Sequence, residues 1–320
     1  MIDGHLFLGT FIRAVIHKKE ESPGLFKILC QYSVGSLSRL QTVLDYAMSS
    51  LSVPGYRGFV CSLVAVEDSL GDRRTTVIVE GVAKVASGML PACCSASYAS
   101  DRDREEALSL LLDLVSQGSI TAQCMAETCG PCISSCIVTY TSKVIRGNAL
   151  LLVKRCASDP IARSTILRRL LSAAIRAKPL GSLVEQDKGR LMEYAEAVEG
   201  CLVCDEQKRE FGAQINDFGE LISSVNSQGD SSKWKLLKTL LVGLENMDAN
   251  VDKVLQCDAF VKTLGHWVIT PETDSDDAIT TYCRVVLLLA QRSREFVLQF
   301  MCREPMNSEK MAFLLLPELC

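Results

Sequence analysis

Lys233 to Val268 reads KWKLLKTLLVGLENMDANVDKVLQCDAFVKTLGHWV. Leu236, Leu237, Leu240, Leu241 and Leu244 stand at i+3 and i+4 intervals, which gathers them on one face of a helix over Lys233–Glu245, with Lys235, Lys238 and Glu245 off that face. Asn246-Met247-Asp248 breaks the pattern with cap-type residues. Val251, Val254 and Leu255 carry a second short helix, and Asp258 stands as a cap before a third through Phe260, Val261 and Leu264. Three short helices cannot bury their apolar faces alone, so the unit needs neighbours stacked on it.

Echoes of the stretch supply those neighbours. Leu202 precedes Phe218 by the same interval that separates Leu244 from Phe260. Each pair frames a polar turn, a short helix and an acid, Asp217 or Asp258. A third apolar face ends at Leu288-Leu289-Ala290, and the pair Leu111-Leu112 returns as Leu151-Leu152. The chain between is read as helical throughout. One helix opens at Asp101, with acids in its first turn, and another at Asp159-Pro160; Arg146-Gly147-Asn148 is read as a break, and Leu191, Met192, Ala195 and Val198 as an inward face.

Composition narrows the function classes. The 320 residues are 48% hydrophobic and 22% charged, a folded balance, and aromatics at 6% suit helix-on-helix packing. Neither a Gly-rich phosphate loop nor a β-α-β alternation is present, which argues against a nucleotide-binding α/β fold. A net charge of −4 demands no nucleic acid. The opening MIDGHLFLGTFIRAVIHKK is read as a first helix with a basic end, and no apolar run is long enough for a membrane span. Fifteen scattered cysteines, an odd number, speak against a disulfide framework and for a reducing compartment, cytoplasm or nucleus.

These echoes recur with a period of ~40–47 residues and two or three helices per unit, which resembles armadillo and HEAT repeats. The resemblance covers Asp187–Met301 and, in weaker form, Glu105–Arg176. It implies an all-α fold: a right-handed α-solenoid running as one continuous array over 1–320, with divergent helices over 1–100, weak repeats over 101–186 and clearer armadillo-like repeats over 187–320. Cys257-Asp258 and Asn216-Asp217 stand where armadillo units usually carry a glycine. Asn246 matches the groove asparagine of nuclear-import armadillo proteins, but Val242 stands at the matching tryptophan, so recognition of nuclear-localisation signals is not implied. The third helix of each armadillo unit lines the concave surface. By that resemblance Arg190, Glu193, Tyr194, Lys235, Lys238, Glu245, Asn246, Tyr282 and Arg284 are the outward, partner-binding candidates.

Site chemistry is sparse. Cys124, Cys129, Cys132 and Cys136 include one CxxC, but they lack the paired knuckles of a zinc ribbon and are read as packing residues, as is the CxxC of Cys201 and Cys204. His5, His17 and His266 are isolated, so no catalytic residue, metal or cofactor is expected. The clearest charge asymmetry is Lys154, Arg155, Arg163, Arg168, Arg169, Arg176 and Lys178 against Asp159 alone, a candidate patch for an acidic or phosphate-bearing partner. The expected function is a non-enzymatic scaffold or adaptor whose concave face binds another protein. The alternatives are an armadillo-type co-chaperone or assembly factor, and a nucleic-acid or phospholigand-binding repeat using the basic segment.

Overall fold

The computed structural model describes residues 37–50, 100–116, 121–139, 142–176, 188–225, 231–267 and 275–301, with scattered positions before residue 60. Among these residues the protein is all-helical, with no strand. Most of the helix expected over residues 5–17, the end of the basic segment at Lys178 and most of the acidic loop after Thr270 lie outside the described residues.

In chain order the helices are α1 Leu37–Ser50, α2 Asp101–Ser116, α3 Ala122–Thr128, α4 Gly130–Thr139, α5 Lys143–Cys156, α6 Pro160–Arg176, α7 Lys188–Cys201, α8 Asp205–Gly212, α9 Ile215–Ser224, α10 Ser231–Leu244, α11 Asp248–Leu255, α12 Asp258–His266, α13 Asp276–Arg292 and α14 Arg294–Met301. Their packing gathers the chain into two compact units. One comprises Met1–Cys136 and Ser142–Ala162, the other Ile137–Thr141 and Arg163–Cys320.

In the first unit, Ser100 and Asp103 cap α2 reciprocally: the Ser100 amide donates to Asp103 Oδ2 at 3.0 Å, and the Asp103 amide donates to Ser100 Oγ at 3.2 Å. This satisfies donors that a helix start leaves open. α2 packs along α5, which also meets α3. The α2–α5 seam is bridged by Ser142 Oγ donating to Glu105 Oε1 at 3.0 Å and by Asn148 Nδ2 donating to Ser109 Oγ at 3.3 Å. The break expected at Arg146-Gly147-Asn148 does not occur. Ser142 caps the helix by accepting from the Ile145 amide, and α5 runs unbroken to Cys156. A single glycine costs a helix only about 1 kcal/mol, less than burial of Ile145, Ala149, Leu152 and Val153 returns.

The second unit holds the opening stretch. α10 lies between α7 and α13; α8 meets α10 and α11; α9 meets α10, α11 and α12. The expected face Leu236, Leu237, Leu240, Leu241 and Leu244 is buried, but so are Ser232, Lys233, Thr239 and Gly243, because α10 has neighbours on several sides. Asp258 is the first residue of α12, and the cap is Cys257. Met192, expected inward, is 39% exposed. The echoed pairs belong to the core, with Leu202, Phe218, Leu244 and Phe260 all buried.

Of the seven described helices of 14 residues or more, α2, α5, α7, α10 and α13 begin at residues 101, 143, 188, 231 and 276, a nearly constant interval of about 42–45 residues; α1 and α6 stand outside that series. Within the second unit several side-chain bonds between helices keep the same interval. Gln207 Nε2 donates to Ser164 Oγ at 2.9 Å, 43 residues back, and Asn250 Nδ2 donates to the Lys208 carbonyl at 2.8 Å, 42 back. Gln207 and Asn250 are both buried, and each ties its own period to the one before. Thr239 Oγ1 donates to the Ala195 carbonyl at 3.2 Å and Lys253 Nζ to the Gly212 carbonyl at 2.8 Å, spanning 44 and 41 residues.

Candidate functional site

The long helices α7, α10 and α13 are the row expected to bind a partner, and the structure gives their charged residues definite contacts within the chain. Lys235 Nζ lies 2.6 Å from Glu199 Oε2, joining α10 to α7. Lys238 Nζ donates to Asp277 Oδ2 at 2.9 Å, joining α10 to α13, and that bond raises the Lys238 pKa. Arg284 on α13 pairs with Glu245 just beyond α10. Farther along α13, Arg292 Nε donates to Asp252 Oδ1 at 2.6 Å and Nη2 to Oδ2 at 2.9 Å, with Asp248 at 3.4 Å, binding α13 to α11. This fork holds the Asp252 carboxyl below its usual range. The repeat resemblance points to Lys235, Lys238, Glu245 and Arg284 as groove residues but not to Glu199 and Asp277. Together these pairs form a ladder that ties α7 to α10, α10 to α13 and α13 to α11.

Three other candidates are not outward. Arg190 is 5% exposed, Tyr194 1% and Tyr282 2%. Tyr194 packs its ring 6.3 Å from Phe218, and Phe218 in turn meets Phe211 edge-on at 5.1 Å. Tyr282 donates its hydroxyl to the Leu264 carbonyl at 2.9 Å, and burial raises both phenol pKa values. Glu193 is half-buried, and Asn246 is exposed. Asn246 has φ 61°, in the left-handed region that asparagine tolerates at a helix end, so the turn from α10 to α11 accounts for its identity.

The fold also assembles an aromatic box that helical spacing does not reveal. Lys233, 5% exposed, holds its ammonium 4.3 Å from the ring centroids of both Trp234 and Trp267. The two indoles meet edge-on at 5.5 Å, and Tyr282 lies 6.4 Å from Trp234 and 6.3 Å from Trp267. Cation–π attraction stabilises an ammonium there, and more strongly as water is excluded. A signal is present in the sequence, since both tryptophans of the chain fall at the ends of the opening stretch. That they converge on one lysine is tertiary information.

The basic segment divides between the units. In the first, Lys154 and Arg155 are exposed at the end of α5. In the second, Arg163 is half-buried, while Arg168 and Arg169 are exposed. Arg168 Nε donates to the Ser164 carbonyl at 3.3 Å and lies 3.6 Å from Glu210. The side chain of Arg176 lies outside the described residues.

Of the cysteine set, Cys129 and Cys136 are buried while Cys124 and Cys132 are half-buried. Burial pushes the Cys129 and Cys156 thiols up to about 12. A thiol so held is neutral at physiological pH, which makes it a poor nucleophile. Among the described residues no group of three His, Cys, Asp or Glu side chains is arranged to hold a metal ion, and no helix is long and apolar enough to cross a membrane.

No family model and no curated protein matches the chain. Among solved structures it is similar to a crystal structure of an engineered protein, at 11% identity and a TM-score of 0.44, over 97% of this chain and 82% of that one. At that score the likeness decides nothing about fold or function.

Proposed function

We propose that the chain is a non-enzymatic scaffold, an armadillo/HEAT-like right-handed α-solenoid that binds another protein along its row of long helices. One observation carries the reading. Within the second unit, the interhelical bonds of Gln207, Thr239, Asn250 and Lys253 each reach back about one period, to the carbonyl or hydroxyl 41 to 44 residues earlier. Nearest-neighbour stacking of this kind builds an extended surface by repetition, and such surfaces bind partners rather than enclose substrates. The neutral, buried Cys129 and Cys156 support a structural rather than a catalytic role for those two cysteines. The scattered, odd-numbered cysteines of the sequence suit a reducing compartment, cytoplasm or nucleus.

The test is affinity purification of the tagged full chain with quantitative mass spectrometry, before and after nuclease treatment. The reading expects a protein recovered in near-stoichiometric amount whether or not nucleic acid is removed. Recovery that vanishes with nuclease would transfer the proposal to the nucleic-acid alternative, and recovery of chaperones alone would narrow it to an assembly factor.

A further inference from the structure

We infer that the solvent face of α5 is a docking site for an acidic amphipathic segment of a partner protein; this rests on, and deepens, the scaffold reading. α5 buries Ile145, Leu152, Val153 and Cys156 on one side. On the other, Val144 is 55% exposed and Leu151 51% exposed. They stand at i and i+7, two turns apart on one face and about 10 Å along the axis. Gly147 falls between them, and a Cβ built there would meet nothing within 4 Å. The face is therefore a shallow apolar notch with open space above it.

Charge names the occupant. The helix sequence KVIRGNALLLVKRC contains no acid, and Lys143, Lys154 and Arg155 are exposed around the notch. The neighbouring Asp159 is turned to its own chain, where its Oδ1 accepts from the Ala162 amide at 2.8 Å. Two aliphatic anchors within a basic rim complement a helix with apolar residues at i, i+3 or i+4, and i+7 and carboxylates beside them. Nucleic acid fits less well, because α5 carries no aromatic ring to stack a base. A membrane surface also fits less well, since two aliphatic side chains bury little area in a bilayer.

The experiment is selection of random peptides of about 16 residues on the full chain, followed by fluorescence anisotropy of the enriched peptides. The inference expects acidic sequences with helical apolar spacing, bound more weakly as salt rises. It expects about tenfold loss of affinity in Leu151→Asp and again in the Lys154→Glu, Arg155→Glu double variant, both with unchanged circular dichroism. These positions are exposed, so the variants are expected to fold, and Gly147→Leu provides an independent block that adds no charge. Non-acidic winners, no enrichment, or affinities indifferent to all three variants would overturn the inference. So would phosphatidylcholine–phosphatidylserine vesicles that bind the chain through Leu151 when no peptide does. Peptides that bind elsewhere on the chain would sink this site and leave the scaffold reading standing.

Discussion

Asn250 occupies the space that a side chain on Gly212 would need. A Cβ built on Gly212 would lie 1.8 Å from Asn250 Oδ1, while Asn250 Nδ2 donates to the Lys208 and Gly243 carbonyls, each at 2.8 Å. The C-terminal end of α8 and the first turns of α11 therefore approach so closely that only hydrogen fits, and one buried carboxamide binds two backbones. Gly212→Ala is expected to destabilise the second unit by about 1–3 kcal/mol through overpacking. Asn250→Leu, which takes that donor from the buried bond to Gly243 and the part-buried bond to Lys208, is expected to cost about as much or more. Gly147→Ala, with open space around it, is the control and is expected to stabilise by about 0.5–1 kcal/mol. Urea denaturation of the three variants checks the order; equal effects would remove the close-packing account.

Lys233 and its box make the intrinsic fluorescence of the protein a local reporter. The chain has two tryptophans, and both contact this ammonium. Lys233→Met is expected to shift the emission maximum and lower stability by about 2 kcal/mol, the scale of a desolvated cation–π contact. Emission that is identical in the variant would show that the lysine does not reside between the rings in solution.

Thiol chemistry follows from burial. At pH 8 the exposed Cys204 is expected to react with iodoacetamide in the native protein, while Cys129 and Cys156, pushed up to about 12, stay unmodified until denaturant is added. The same shifts set an alkaline limit. Above the ordinary thiol value of 9.0 an unfolded chain loses these protons while the folded chain keeps them. The unfolded state then binds fewer protons, so the stability held below that value falls as pH rises toward about 12. Replacing both residues with alanine is expected to flatten that part of the stability–pH curve, and mass spectrometry locates the modified thiols.

The Lys235–Glu199 pair distinguishes a staple from a binding residue. A double-mutant cycle with Lys235→Met and Glu199→Gln is expected to return a coupling of about 1 kcal/mol or less, because both side chains are partly solvated and water screens the pair. The coupling is expected to fall with added salt. No coupling at low salt would mean that the pair does not hold α7 to α10, and would return Lys235 to the set of available groove residues.

Much of the helical framework is legible because helices are written locally. The leucines of α10, the acids that open α2 and the proline that opens α6 each act within a turn or two of themselves. Legibility fails where two local signals compete. At Gly147 a nominal breaker loses to the Ser142 cap and to burial on both sides of it along the chain. At Asp258 the acid lies in the first turn, where it suits the helix dipole, and Cys257 takes the cap position. The ion-pair ladder is not legible at all, because its partners belong to different periods: Arg284 and Glu245 are 39 residues apart in the chain, and Lys235 and Glu199 nearly as far. Their meeting depends on how each long helix is rotated about its axis.

By itself the sequence determined that this protein is helical and that its pattern recurs about every 40 residues, since both follow from the local spacing of apolar side chains. Only the tertiary structure decided which residues of the long helices face solvent. Periodicity tells which side chains share a face, but not how many faces have neighbours. α10 is packed between α7 and α13 and against the short helices as well, so positions off the leucine stripe, Lys233 and Thr239 among them, are buried too. On α5 the reverse holds: Leu151, half of an apolar pair in the sequence, stands in solvent in the fold, as does Val144.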